Sequence, residues 1–362
     1  METTDLNLRL RERYFKQDID SRFNMLYTLD STDYKICATT GIVAGIIDTF
    51  FIGLPHPTKD GVSGGYLDNM VRSWFNKKFP PEEMVKLANS KISKVPYDAQ
   101  DNRNTNVDIV GLSAYYHRLL SIGHDPILGF IVGVFDTLNG TMTTVDKEGG
   151  FVSQDMSHVY GQRISTQIID AFIKHFNHMK SDVNTSMGLP VPFMCLFNLC
   201  QFGKIGSEGL TVAEVVQGMY YEGYDFQHFC AMSIPEMIIE VVVRAAWWIR
   251  NKCSLKKLPI FTSRNRTCKL DSMLFVAHSC FCSVNVIKVG MTKNPCAINY
   301  PEWMRFSKLL IKEINWQIYS KNIAKSDFIA NDVEEYIDYC IREIKSRKKV
   351  TLRTKNIMNL IG

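Results

Sequence analysis

The chain lacks an uninterrupted apolar run of bilayer-crossing length, paired cysteines at zinc spacing, a large excess of either charge, and sustained period-two alternation. Each absence removes a class of protein. Ile36–Gly53 is long enough to span a bilayer but holds Asp48, Thr39 and Thr40, and Met273–Gly290 is broken by His278, Asn285 and Lys288. With a mean hydropathy of -0.09, a polytopic bundle is not expected, and what remains is one or two polar-interrupted helices lying in or across a membrane. Cys280 and Cys282 have one residue between them and Cys195 and Cys200 have four, so the ten cysteines read as buried, reduced thiols and not as zinc ligands or a disulfide framework. The charged run after Met1 does not read as a signal peptide, and the expectation is a bacterial or cytosolic style of protein, in the cytoplasm or at the cytoplasmic face of a membrane. Forty-two basic residues face 37 acidic ones, a net +5 that favours solubility and leads us to expect no nucleic-acid partner.

What is present is a core-forming chain. Apolar residues make up 46% of 362 positions, enough for one large or two ordinary domains. Convincing strands are scarce, so the fold class expected is all-α or nearly so, a multi-helix bundle with glycine-rich apolar central helices. The expected organisation is a charged amphipathic helix in residues 1–30, a helical core in 31–200, and a helical domain of unknown role in 201–362 that ends in a basic tail. The boundary is placed at the Gln201–Gly206 stretch, within 201–212. Spacing predicts helices over 5–27, 66–78, 159–181, 235–251, 303–318 and 331–344, and a helical run over 107–140 broken at His124-Asp125-Pro126. Residues 93–106 read as a polar surface loop, and 141–157 as a turn-rich connector with a hairpin around Glu148-Gly149-Gly150.

Two apolar segments echo each other. Gly41 and Gly45 precede Asp48 and Thr49, and Gly129 and Gly133 precede Asp136 and Thr137, at identical spacing. On helices these residues share one face, where glycine lets a second helix approach and a carboxylate needs a cation or donors. Either the aspartates bond to neighbouring backbone in a glycine-packed helix pair, or they face each other across a metal or polar cavity, or the likeness of two ten-residue windows is chance, since no longer repeat extends from it.

Three histidines stand near carboxylates. His117 and His124 are seven apart, two turns of an uninterrupted helix, His124 adjoins Asp125, and His178 lies one turn before Asp182, with His175 on a similar face. Imidazole nitrogen and carboxylate oxygen suit zinc, with manganese or iron as alternatives. His56, His158, His228 and His278 are left unassigned.

The run His178-Met179-Lys180-Ser181-Asp182 followed by Gly188-Leu189-Pro190-Val191-Pro192-Phe193 resembles the carboxy-terminal motif of the YdjM-like predicted membrane-bound metal-dependent hydrolases. His117-Arg118 with His124 is similar to that family's His-Arg and downstream His, and Asp48 to its early Asp, so the likeness spans residues 36–193. The resemblance implies an all-α metal-binding core related to helical zinc phospholipase C enzymes.

The function expected is therefore divalent-metal hydrolysis of a phosphodiester or phospholipid at a membrane surface. His117, His124, His178 and Asp182 are the expected ligands, with Asp48 as a ligand or bridging carboxylate, Asp125 or Asp136 as general base or orienting group, and Arg118 as holder of an anionic oxygen or partner in an ordinary ion pair. The alternative is a non-catalytic membrane-associated or membrane-inserting protein that assembles through its glycine-patterned helices, as a homo-oligomer, with the Lys345–Lys349 run, Arg353 and Lys355 against lipid headgroups. A purely structural interaction module is the third expectation.

Overall fold

A computed structural model describes residues 18–345 except 60, 161–166, 186, 255–265, 332, 335–336, 339–340 and 343–344. Within them the protein is mostly helical. The first half of the helix expected over 5–27, and the basic tail from Ser346 onward, lie outside the described residues.

Two compact units, both discontinuous in sequence, share the chain. One takes Met1–Thr40, Val241–Ala277 and Phe306–Gly362, the other Gly41–Glu240 and His278–Arg305. The boundary expected near 201–212 thus falls inside the second unit. Among the helices of the described residues are α1 (Ser31–Ile47, continued by a π-helical turn Asp48–Ile52), α2 (Tyr66–Lys78), α3 (Pro81–Ala88), α4 (His117–Leu120), α5 (Gly129–Asn139), α6 (Ile168–Asp182), α7 (Val212–Tyr221), α8 (Phe226–Ser254), α9 (Arg266–Thr292) and α10 (Tyr300–Asn315). Two antiparallel hairpins interrupt them, β1 (His56–Thr58) with β2 (Gly61–Ser63) and β3 (Thr141–Val145) with β4 (Phe151–Asp155).

In the first unit, Phe23 and Tyr27 pack with Trp316 and Phe328 in one apolar cluster. Asp33, 1% exposed, is held there by Arg250 at 2.9 Å and Lys269 at 2.8 Å.

The second unit holds most of the chemistry, and its helix ends are set by side chains. Asp125 Oδ1 accepts from the N–H groups of Ile127 and Leu128 at 2.9 and 2.8 Å and so opens α5. Gly140, with φ +72°, closes that helix in the left-handed conformation that glycine adopts without strain. Thr211 and Glu214 form a reciprocal capping box on α7. Asp225 accepts from His228 N at 2.9 Å in the first turn of α8. The α8 helix runs on through Pro235, beginning nine residues earlier than the spacing predicted. The expected hairpin around Glu148 is β3–β4, pairing Thr141 with Asp155 and Val145 with Phe151, and Asp146 Oδ1 collects the N–H groups of Glu148 and Gly150.

Helix is sparser over 107–140 than the spacing predicted, because only His117–Leu120, a 3-10 turn Ile122–His124 and α5 form regular structure there. The chain extends at Ser121, with ψ 120°, so His117 and His124 do not lie two turns apart on one helix. The glycine echo is visible locally: Thr49 and Thr137 each donate to the carbonyl of the preceding glycine four residues back, at 2.8 and 2.7 Å. Its two copies have separate partners, however. A Cβ on Gly45 would meet Val284 of α9 at 2.6 Å, whereas one on Gly133 would meet His175 Nδ1 of α6 at 2.6 Å and Gly123 O at 3.1 Å. Both glycines serve close packing within the unit.

Candidate metal centre

Three stretches of the second unit meet at a buried point: the loop 93–98, the turn from His117 to His124, and the last turn of α6. The loop 93–106, expected on the surface, enters the interior here because Val95 and Tyr97 are apolar anchors, 1% and 0% exposed. Tyr97 donates through its hydroxyl to, or accepts from, His175 Nδ1 at 2.8 Å, and its ring stands edge-on to His124 and His178, with centroids 5.1 and 5.4 Å away. The next residue, Asp98, is thereby held against the histidines.

Oδ1 of Asp98 lies 3.2 Å from Nε2 of His117, 3.5 Å from Nε2 of His124 and 3.9 Å from Nε2 of His178. Oδ2 of Asp182 lies 3.5 Å from Nε2 of His124 and 3.3 Å from Nε2 of His178. The Nε2 atoms of His124 and His178 are 3.1 Å apart. Two overlapping trios, Asp98–His117–His124 and His124–His178–Asp182, each bring their ligand atoms within 4.8 Å of one another. Ligands bonded to one ion at about 2.0–2.2 Å stand roughly 3–3.5 Å apart, which most of these separations match.

The rings are also turned the right way. His117 Nδ1 is 3.0 Å from the carbonyl of Ala114, and His178 Nδ1 is 3.0 Å from that of Ser93. A carbonyl only accepts, so each Nδ1 carries the proton and each Nε2 presents a lone pair to the centre. Burial pushes His124 down to about 4, against the opposing pull of Asp98 and Asp182, so this imidazole is neutral at pH 7. Nε2 of His117 and Oδ2 of Asp182, one in each trio, are buried without a hydrogen-bond partner. Asp98 is 31% exposed while the other four residues are at most 3–4% exposed at the side chain, so the centre opens to solvent on the Asp98 side.

The structure places the remaining expected site residues elsewhere or in another role. Arg118 is buried and donates to Asp182 Oδ1 at 2.9 Å and to Thr185 Oγ1 at 2.8 Å, the ion pair that was one of its two expected roles. Asp48 is paired with Lys288 at 2.9 Å and accepts from Asn285 and Asn299, away from the histidines. Asp125 is occupied by the backbone of α5 and by the N–H of Phe193, which leaves no oxygen for a base role at the centre. Asp136 accepts from Thr141 and Thr143 at the start of β3 and ties the hairpin to α5; burial raises its pKa to about 6 despite those bonds. Asp48 and Asp136 therefore do not face each other. Asp98 was not singled out in the sequence; the alternation of Val95 and Tyr97 within an otherwise polar loop was the signal that this segment turns inward.

No family model, curated protein or solved structure matches this chain. The reading of the centre rests on its geometry.

Proposed function

We propose that the protein is a divalent-metal-dependent hydrolase whose ion is held by Asp98, His117, His124, His178 and Asp182. The observation that carries this reading is the pair of overlapping trios, Asp98–His117–His124 and His124–His178–Asp182, each with its ligand atoms within 4.8 Å of one another, with two of the imidazoles oriented by backbone carbonyls. Zinc fits the donor set best, with manganese or iron as alternatives. An ion held there supplies Lewis acidity and lowers the pKa of a bound water to about 7.

The protein's own groups do the rest. Asp98 is the ligand on the side from which water enters, and Arg118 keeps Asp182 in its ligating pose. A phosphodiester or phospholipid is the proposed substrate class. Support for a lipid comes from a cavity of about 360 Å³ on the neighbouring face of α6, walled by Phe79, Phe130, Phe176, Met179 and Leu189 with Lys180 beside them.

The test is elemental analysis of the purified chain and of a His178→Ala, Asp182→Ala double variant that stays folded by circular dichroism, with bis(p-nitrophenyl) phosphate and phospholipid vesicles as substrates. Near-stoichiometric metal and hydrolysis, both lost in the double variant, are expected. A wild-type protein that takes up neither zinc nor manganese overturns the reading.

A second reading, membrane association without catalysis, is favoured by the polarity of the second unit. The 41–52 segment exposes Ile42, Val43, Ile46, Phe50 and Phe51, and α9 exposes Val286, Ile287 and Met291, while Asp48, Asn285 and Lys288 are buried. Asp18–Ile52 and Cys268–Thr292 are long and apolar enough to cross a bilayer by length and composition. Vesicle flotation in the folded double variant separates the readings, because lipid binding that persists without metal supports the surface on its own.

A further inference from the structure

Helix α6 carries different chemistry on two of its faces. His175, His178 and Asp182 are buried on one, whereas Ile169, Phe172, Ile173 and Phe176, spaced three and four apart on another, are exposed. The exposed stripe continues through Met179, Lys180 and Val183, which together with Phe176 wall the cavity of about 360 Å³. Helix α5 joins this surface, because the half-exposed Phe130 also lines the cavity and its ring centroid lies 5.9 Å from that of Phe172. An exposed apolar face built from two helices therefore runs directly into an apolar cavity.

The far walls are Phe79, Leu189 and Phe226, and hydrogen bonds to backbone hold them. The N–H of Phe226 donates to the carbonyl of Leu189 at 2.9 Å, and Asn184 Nδ2 donates to the carbonyl of Phe79 at 2.6 Å. The volume is that of a small-molecule pocket, in which a few polar groups fix the orientation of an apolar ligand. Here the one charged lining residue is Lys180, which is exposed and so stands at the edge. An apolar slot with a cation at its edge fits an alkyl chain with an anionic head, the chain inside and the head at the ammonium. A free amphiphile and a membrane lipid share that chemistry. The exposed Ile169, Phe172 and Ile173 favour the lipid, since a bilayer covers them and a free ligand in the cavity does not. Trp74, exposed and edge-on to Phe79 with centroids 6.5 Å apart, adds an amphipathic ring of the kind enriched at membrane interfaces.

We propose that this cavity takes one alkyl chain of an anionic lipid from a bilayer lying against the α5–α6 face. As a substrate that lipid rests on the hydrolase reading; as a ligand it does not.

The experiment uses the full chain stripped of metal by a chelator, so that binding is read apart from hydrolysis. Octyl, decyl and dodecyl phosphate, each below its micelle-forming concentration, are titrated by calorimetry, and flotation is measured with phosphatidylcholine vesicles with and without phosphatidylglycerol. Affinity is expected to rise about 3–4-fold for each added methylene, equally in wild type and in the His178→Ala, Asp182→Ala variant. Phe176→Asp and Lys180→Glu, both at exposed positions that leave the fold intact by circular dichroism, are expected to lose alkyl phosphate binding and flotation with the anionic vesicles. Phe50→Asp, on the exposed 41–52 segment, is expected to keep both. Wild-type binding in Phe176→Asp and Lys180→Glu overturns the proposal, as does affinity that ignores chain length. Flotation lost in Phe50→Asp and kept in Phe176→Asp moves the membrane contact to the other face and overturns it too. Uptake of alkyl phosphates without flotation overturns the bilayer as the source and leaves a free amphiphile as the ligand.

Discussion

Nδ1 of His178 lies 3.0 Å from the carbonyl oxygen of Ser93, and that contact decides what the opposite edge of the ring does. The proton goes to Nδ1, the lone pair to Nε2, and Nε2 faces Asp182 at 3.3 Å. Arg118 extends the same logic, since its 2.9 Å bond to Asp182 Oδ1 leaves Oδ2 turned towards the two imidazoles. Arg118→Gln removes the charge while keeping every ligand. The expected outcome is a metal affinity about 10–100-fold weaker at unchanged stoichiometry, measured by competition with a chromophoric chelator. Equal affinity in variant and wild type means that Arg118 only supports the fold.

Asp98 is the most exposed of the five proposed ligands, with 31% of its side chain open to solvent. Asp98→Ala leaves the three buried histidines and Asp182 in place and is expected to stay folded by circular dichroism. Hydrolysis of the phosphodiester probe is expected to fall together with bound metal, since the variant lacks one of the five proposed ligands. An active Asp98→Ala protein with full metal content removes Asp98 from the chemistry.

How much of this was legible before the structure depends on whether a residue's partners are close in sequence. His178 and Asp182 share a turn of one helix, so their spacing was sufficient to pair them. His117 and His124 were grouped by a helical period that the chain does not follow, since Ser121 is extended between them; they converge through a chain reversal. Asp98 belongs to the site through packing of Tyr97 on two histidine rings, a contact between residues about 27 and 81 positions apart that no local pattern records. Asp48 and Asp136 looked alike because their helices repeat the same glycine-aspartate-threonine spacing. Their partners, Lys288 in one case and Thr143 in the other, come from different parts of the chain. The mostly helical fold was readable from apolar spacing, whereas the two discontinuous units were not, because α1, α8, α9 and α10 each contribute residues to both.

The Asp48–Lys288 pair tests how firmly the second unit depends on its buried charges. Asp48 is fully buried, Lys288 is 5% exposed, and the ammonium also reaches the carbonyls of Asp48 and Gly53 at 3.2 and 3.3 Å. Removing one member leaves the other uncompensated, so Lys288→Met is expected to cost about 3–5 kcal/mol in urea unfolding. The double variant Asp48→Asn, Lys288→Met keeps an acceptor for Asn285 and Asn299 and removes both charges. It is expected to recover most of that loss, and a double variant less stable than Lys288→Met shows that the pair is not coupled in this way.

Asp136 gives the protein a dependence on pH that does not involve the proposed metal ligands. Its pKa in the folded protein is raised to about 6 by burial, with Thr141 and Thr143 only partly offsetting that cost. A carboxyl whose folded pKa lies above its unfolded value near 3.8 stabilises the fold most while it is protonated in both states. That contribution is fully present below about pH 4 and is lost as pH rises through about 6, a change of about 3 kcal/mol. Asp136→Asn keeps an oxygen for the Thr143 N–H and cannot ionise. Urea midpoints measured from pH 4 to pH 7.5 are expected to decline for the wild type relative to Asp136→Asn, with the steepest divergence near pH 5, between the two pKa values, and a plateau above about pH 6. Two parallel profiles mean that the Thr141 and Thr143 donors stabilise the carboxylate enough to cancel its burial, and Asp136 is then ionised at all those pH values.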